Sequence, residues 1–282
     1  MKLAAVIFYS LFAAANASAY FDGGFSAVTG PNGYHGSKLD LAIGAGGFLI
    51  EPSWASYTSD SLDSKYRTYA MRVARENELV TIGAQAGYTP EAGYYSNKFA
   101  GADITFSLSP GKGGKARLAG PGSRSTPRGG QGVTRIDVGA SAKQTRHEYD
   151  GASLLKTTQN EYSLFAGAKV LMLALSGSYT GYGYGKEDTT PRINPVPGHS
   201  FAYAAAPKSS VSAKVDLPGM LILTPFVGYT GTKYRHSVKD SAAYMAGAYV
   251  DLNMVAANVT FQVFDNGVSK YTYVTAGAGI KF

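Results

Sequence analysis

The sequence contains no cysteine, which excludes a disulfide framework, a thiolate metal site and a cysteine nucleophile. It also lacks a long hydrophobic run: the longest covers residues 3–15, whereas a membrane-spanning helix needs about 20 apolar residues. Charged residues make up only 16% of the chain, and a single tryptophan is present. Stability must therefore come from backbone pairing and side-chain packing.

The first 19 residues have the features of a secretory signal peptide. A short basic start, Met1-Lys2, precedes the apolar residues 3–15, and Ala17-Ser18-Ala19 is a small-x-small cleavage site. We expect the mature chain to begin at Tyr20 and to lose only Lys2 among its charges, which lowers the formal net charge from +7 to +6. This modest excess, in a secreted chain without a basic helix, predicts no nucleic-acid partner.

The composition favours β-structure. The chain has 35 glycines, 21 tyrosines and 13 phenylalanines with a mean hydropathy of −0.09, which is typical neither of an α-rich fold nor of a disordered chain. Apolar and polar residues alternate with a period of two, the repeat of a β-strand. Fourteen strands are predicted, near residues 20–28, 38–50, 54–61, 66–75, 79–88, 98–108, 133–146, 159–169, 173–184, 200–216, 220–234, 241–251, 254–264 and 270–282.

Residues 270–282 (KYTYVTAGAGIKF) show the alternation most clearly. One face carries Val274, Ile280 and Phe282, whereas Tyr273 and Lys281 lie on the other. This segment resembles the closing strand of bacterial outer-membrane β-barrels, which ends on an aromatic residue. The resemblance implies that the barrel-assembly machinery reads Phe282, Ile280 and Tyr273 as its signal. It also implies a location in the outer membrane of a Gram-negative bacterium, in contact with lipid and lipopolysaccharide.

The predicted fold is a closed antiparallel up-and-down transmembrane β-barrel of 14 strands formed by residues 20–282. An even strand number places both termini in the periplasm. If the first two strands stay in the periplasm or inside the lumen, the barrel has 12 strands instead. A soluble β-sandwich would alternate in the same way, but its second face would not be rich in Gly, Ser, Thr, Asn, Gln and charge.

The predicted connections alternate between short and long. Short periplasmic turns are predicted at Glu51-Pro52-Ser53, Glu76-Asn77-Glu78, Asp216-Leu217-Pro218-Gly219, Asp251-Leu252-Asn253 and within residues 169–172, mostly from their Pro, Asn, Asp and Gly content. Longer extracellular loops are predicted at residues 29–37, 147–158 and 185–198. In the second strand, the face predicted to meet lipid holds Leu39, Leu41, Ile43, Ala45 and Leu49.

Residues 110–132 interrupt this pattern with eight Gly, three Pro, five basic residues and no acid. We expect a flexible, solvated loop, because this composition cannot bury apolar surface. The alternative is an anion-binding arm that uses its basic side chains: Lys112, Lys115, Arg117, Arg124 and Arg128. Strand counting places this loop on the periplasmic side.

No catalytic, metal or cofactor site is predicted. Two rim loops carry the residue types of an acyl-transfer site, which are His147, Glu148, Asp150 and Ser153 in one loop and His199-Ser200 in the other. The sequence around them does not match a known barrel hydrolase. Carboxylates are scattered and no His-x₃-His spacing occurs, so no metal is expected.

The second face of the strands predicts the lining of the lumen. Its polar members are Asp22, Asp40, Arg72, Gln85, Asp103, Arg135, Asp137, Lys143, Glu161, Lys214, Asp216, Asn258 and Gln262. A lining with both charge signs and many small residues predicts a porin-like passive channel for small polar solutes. The alternatives are a structural or adhesion barrel with a plugged lumen and a lipid hydrolase with its site at the rim.

Overall fold

The computed structural model describes residues 20–60, 62, 64–108, 117–123, 134–151, 154–186, 194–195, 202–203, 205–218 and 222–282. Within these ranges, no helix is long and apolar enough to cross a membrane. The predicted signal peptide lies outside the described residues.

Sixteen strands are present in the described ranges. They are β1 (Tyr20–Thr29), β2 (His35–Ala45), β3 (Phe48–Thr58), β4 (Tyr66–Glu76), β5 (Val80–Ala92), β6 (Tyr95–Leu108), β7 (Thr134–Asp150), β8 (Leu154–Val170), β9 (Leu173–Tyr184), β10 (Asn194–Pro195), β11 (Ala202–Tyr203), β12 (Pro207–Asp216), β13 (Leu223–Tyr234), β14 (Ser241–Leu252), β15 (Val255–Asp265) and β16 (Lys270–Lys281).

Fourteen of these strands form one closed barrel, and β10 and β11 form a separate two-stranded ribbon. Barrel strands that follow one another in the chain pair antiparallel, β9 pairs with β12 across the β10–β11 ribbon, and β1 pairs with both β2 and β16 to close the ring. Closure leaves no sheet edge with unpaired backbone groups, which a lipid environment would penalise. The predicted 14-stranded up-and-down barrel is confirmed, and the 12-stranded alternative is wrong because β1 and β2 belong to the wall.

The turn predicted at Glu51-Pro52-Ser53 is wrong. Pro52 lies inside β3, and the chain turns instead at Gly46-Gly47, where both residues have positive φ (60° and 82°) and the flanking residues are paired. A two-residue hairpin with two positive φ angles favours Gly-Gly. The shift in register also turns Leu49 inward, where it is 2% exposed, so its predicted lipid-facing position is wrong too.

The long loop predicted at residues 147–158 is also wrong, because strand pairing continues through most of it. β7 and β8 are paired as far as Asp150 and Leu154, so only residues 151–153 connect them. The turn expected within residues 169–172 is present at Leu171-Met172, between β8 and β9. We call the barrel end that carries Tyr20 and Lys281 the proximal end, and the end that carries turn residues 30–34 the distal end.

The outer surface of the barrel is a belt of exposed apolar side chains. Ile82, Leu164 and Val259 are 58%, 65% and 57% exposed, far more contiguous apolar surface than a soluble monomer tolerates. Outward-facing tyrosines lie toward the distal end, where Tyr69 stacks on Tyr88 with ring centroids 5.5 Å apart. Aromatic side chains of this kind mark the edge of the hydrocarbon layer in membrane barrels.

We expect Val259→Arg to lower the free energy of unfolding in lipid vesicles by about 2–4 kcal/mol, because Val259 lies outward near the middle of β15 and the bilayer midplane penalises a charge. Thr260→Arg is the matched control, because Thr260 is the next residue in β15 and faces the lumen. This variant should lower the free energy of unfolding much less. Equal losses from the two variants, measured by urea titration of the folded protein, would contradict the assignment of faces.

Candidate transport lumen

The predicted lumen residues share one face of the barrel wall. Register places them opposite one another in neighbouring strands, as with Arg72 and Gln85 or with Lys143 and Glu161, and directly opposed residues lie on the same face. The residues placed on this inward face are Asp22, Asp40, Arg72, Gln85, Asp103, Arg135, Asp137, Lys143, Glu161, Lys214, Asp216, Asn258 and Gln262.

Toward the proximal end, the lumen contains a network of buried ion pairs centred on Arg72. The Arg72 guanidinium donates Nε to Asp103 Oδ2 at 2.8 Å and Nη2 to Asp103 Oδ1 at 2.7 Å, and its Nη1 donates to Glu51. Beside it, Arg135 Nε donates to Asp137 Oδ1 at 2.9 Å. The side chains of Asp103 and Asp137 are fully buried, so these charges depend on one another for stabilisation.

Residues 117–123 enter the lumen at this network. Arg117 is 2% exposed, and its Nη2 donates to Glu76 Oε1 at 2.9 Å. The Leu118 backbone N–H donates to Asp137 Oδ2 at 2.6 Å. Burial, and secondly the charge of Arg72, lower the pKa of Arg117, although a guanidinium keeps its charge in proteins. For residues 117–122, which are buried or half-buried, the solvated connection expected from the sequence is wrong.

Two glycines let this segment fit against the wall. Gly120 has a φ of +85°, and a Cβ there would lie 2.2 Å from Phe165 Cε2. Gly122 has a φ of +75°, and a Cβ there would lie 2.6 Å from Arg72 Nη1. Only glycine meets both the backbone and the space requirements at these positions. The segment is therefore shaped to the lumen and is not a loose connection.

A polar cavity of about 580 Å³ lies beside the inserted segment. Pro121, Gly122 and Ser123 form one side of it, and the inner walls of β1–β5 and β14–β16 form the others. Its volume falls within the roughly 300–1,000 Å³ typical of small-molecule sites. The lumen thus keeps a space that neither the ion pairs nor the segment fills.

Toward the distal end, a layer of tyrosines occupies the lumen. Tyr34 contacts Tyr273 edge-to-face at 5.5 Å, and Tyr57 stacks on Tyr66 at 5.4 Å. Tyr57 packs against two buried clusters, one of which reaches Phe264, and so joins them into one layer. Burial, and then the neighbouring Tyr273, raise the pKa of Tyr34, so its hydroxyl stays protonated at neutral pH.

His147 lies on the inner wall in a chain of hydrogen bonds that uses both ring nitrogens. Gln159 Nε2 donates to Glu161 Oε1 at 3.2 Å, so Gln159 Oε1 is the acceptor for His147 Nε2 at 3.0 Å. Nδ1 of the neutral ring then accepts from the Tyr95 hydroxyl at 2.8 Å. In this assigned tautomer both ring nitrogens bond to side chains of neighbouring strands, so neither is left to activate a serine.

The other candidates for acyl transfer do not join His147. Glu148 follows it in β7 and therefore faces outward, where it pairs with Arg146 at 2.9 Å. Asp150 shares that outward register, and Ser153 and the His199-Ser200 pair lie outside the described residues. In the part of the chain that is described, no group of three or more His, Asp or Glu side chains is placed to hold a metal ion.

Sequence reasoning missed the inserted segment and the tyrosine layer. The signal for the layer was present, because Tyr57, Tyr66, Tyr95 and Tyr273 all fall on the inward register near the distal strand ends. For the segment no local signal exists, since its partners Glu76 and Asp137 belong to other strands.

No protein-family model matches the sequence, and no curated protein matches it. Solved structures match in fold. CdiB from Acinetobacter baumannii has a TM-score of 0.53 at 10% identity, with 94% of this chain and 60% of that chain covered. The CymD monoaromatic hydrocarbon channel has a TM-score of 0.52 at 9% identity, with 93% and 87% covered. The fold is that of an outer-membrane β-barrel.

This outer-membrane barrel spans less than two thirds of the CdiB chain. A KdgM porin structure gives a TM-score of 0.45 at 9% identity and covers 93% of this chain and 99% of that chain. At identities of 9–10% the likeness is one of architecture. The function of this barrel has to be argued from its own lumen.

Proposed function

We propose that this chain forms a narrow channel of the bacterial outer membrane that admits small polar solutes. The observation that carries the proposal is the polar cavity inside a closed barrel whose exterior is apolar. Small inward residues such as Gly24, Ser26 and Gly279 line that cavity. A lumen filled for stability alone would replace them with side chains that pack across the axis.

In this proposal the proximal end faces the periplasm and the apolar belt contacts outer-membrane lipid, with lipopolysaccharide around the distal half. Residues 1–19 direct export and are removed, and the assembly machinery reads Phe282, Ile280 and Tyr273. In the folded barrel, Ile280 is 52% exposed on the lipid side, whereas Tyr273 faces inward and is 7% exposed. Transport needs no cofactor, and no chemistry at the rim is part of the proposal.

A structural barrel with a plugged lumen is the second candidate. The inserted residues 117–123 and the layer around Tyr57 favour it, because both occupy space that a solute would have to cross. The two candidates differ in whether current can flow through the folded protein in a membrane.

We expect small, discrete current steps when the folded full-length protein is inserted into a planar lipid bilayer. Selectivity between monovalent cations and anions should be weak, because the lumen carries ion pairs such as Lys143–Glu161 at 2.9 Å and Lys214–Asp216 at 2.5 Å. Folding is checked by the heat-dependent change in gel migration of the barrel. Folded, inserted protein without any current steps would reject the channel and leave the structural barrel.

A further inference from the structure

The polar cavity beside residues 117–123 is lined by hydrogen-bonding groups of several chemical types. Its inward groups include two amides, Gln85 and Asn258, a phenol, Tyr249, and several hydroxyls and carboxylates. Gln85 belongs to β5 and Asn258 to β15, so the two amides come from well-separated parts of the ring of strands. A solute in the cavity would meet hydrogen-bonding groups from more than one side.

The charges in this lining are already matched. Lys38 Nζ lies 2.9 Å from Asp40 Oδ2, and Arg72 is held by Glu51 and Asp103. A charged solute would have to compete with these pairs and give up its own hydration. Among the described residues, the lining therefore offers neither a free cation for an acid nor a free carboxylate pair for a base.

The two amide side chains of the lining differ from these charged groups in their hydrogen bonding. Among the described residues, neither Gln85 nor Asn258 uses its side chain in a hydrogen bond or an ion pair with another residue. An amide carries two donor hydrogens and an acceptor oxygen, which suits a hydroxyl group that both donates and accepts. Tyr249, stacked on Phe226 with centroids 4.6 Å apart, adds an aromatic surface held in a fixed orientation.

We propose that this cavity is a binding site for a neutral, hydroxyl-rich solute of the size of a mono- or disaccharide, held by the Gln85 and Asn258 amides. The inference rests on the proposed channel function and names its solute class. The Gln85 and Asn258 side chains are partly exposed to the cavity, so their amide donors and acceptors can exchange water for the hydroxyl groups of a polyol. The inserted segment would contact the same solute, because Pro121, Gly122 and Ser123 line the cavity.

The test compares three probes of one size, which are glucose, protonated glucosamine and gluconate. Calorimetric titration of the detergent-folded full chain should show glucose binding, with affinities for the two charged probes lower by about tenfold, the loss expected when the buried pairs of Arg72 with Glu51 and Asp103 must be disturbed without a new partner. Equal or tighter binding of either charged probe would overturn the neutral class. This comparison needs no variant.

The variants Gln85→Leu and Asn258→Leu should together weaken glucose binding by about tenfold or more, because each removes hydrogen bonds to the solute. Gln144→Leu is the matched control, since Gln144 faces outward and bonds to Asn160 at 2.9 Å, and it should leave the affinity unchanged. A folded double variant that binds glucose like the wild type would reject this cavity as the site.

The outcomes separate this inference from the channel proposal. Current steps without glucose binding would keep the channel and reject the saccharide site. Glucose binding without current steps would keep the site and reject conduction.

Discussion

If the proposed channel conducts, we expect the replacement of residues 110–132 by a short turn to raise the single-channel conductance several-fold over that of the full chain. The physical reason is that residues 117–123 occupy the proximal lumen, held by the Arg117–Glu76 ion pair and the bond from Leu118 to Asp137. The barrel itself should close without the loop, because β6 and β7 are neighbours and Leu108 is opposite Ile136. Planar-bilayer recordings of both proteins measure the change.

A milder variant tests the anchor alone. Arg117→Ala leaves the loop in place but removes its buried ion pair with Glu76, and we expect a smaller rise in conductance with more frequent switching between current levels. Arg146→Ala is the control, because Arg146 lies outward at the distal rim with 61% of its side chain exposed. If the shortened barrel folds and conducts no better than the full chain, the segment does not obstruct the lumen.

We expect Arg72→Met to lower the free energy of unfolding by about 3–5 kcal/mol, because it leaves the Glu51 and Asp103 carboxylates buried without their common cation. The Arg72–Asp103 pair fills its site, because a Cβ at the neighbouring Gly83 would lie 2.4 Å from Arg72 Nη2 and 2.5 Å from Asp103 Oδ2. Unfolding by urea in lipid vesicles measures the loss.

The control for this effect lies three residues further along the same strand. Arg75 faces outward and is exposed, with its guanidinium 5.8 Å from the centre of the Phe48 ring. Arg75→Met should cost about 1 kcal/mol or less, as expected for an exposed cation–π contact. Losses of equal size for Arg72 and Arg75 would contradict a stability role for the inward network.

Some features of the lumen could be read from the sequence and others could not. Inward positions such as Arg72, Asp103 and Asn258 follow from strand parity alone, since each residue's face depends only on its place in an alternating segment. The partners of those residues do not follow. Arg72 bonds to Asp103, 31 residues away, and only the register of the intervening strands brings the two together.

The strand boundaries likewise depend partly on local sequence and partly on pairing with neighbouring strands. Pro52 looked like a turn residue because proline lacks the N–H that a strand uses, yet the ladder between β2 and β3 tolerates it with a gap between the Asp40–Ser53 and Ile43–Ile50 pairs. Gly46-Gly47 carried the better hairpin signal. Near residues 147–158, polar composition suggested a loop, but pairing with a neighbouring strand extended β7 and β8 through it.

A barrel with an apolar outside and a polar inside follows from the amino-acid sequence alone, because a period of two is a local property and closure follows from the cost of an open edge in lipid. The contents of the lumen, in contrast, depend on the three-dimensional fold. The seating of residues 117–123 on Glu76, Asp137 and Phe165 depends on contacts between distant parts of the chain. The tyrosine layer across the distal end likewise forms only once the ring of strands has closed around it.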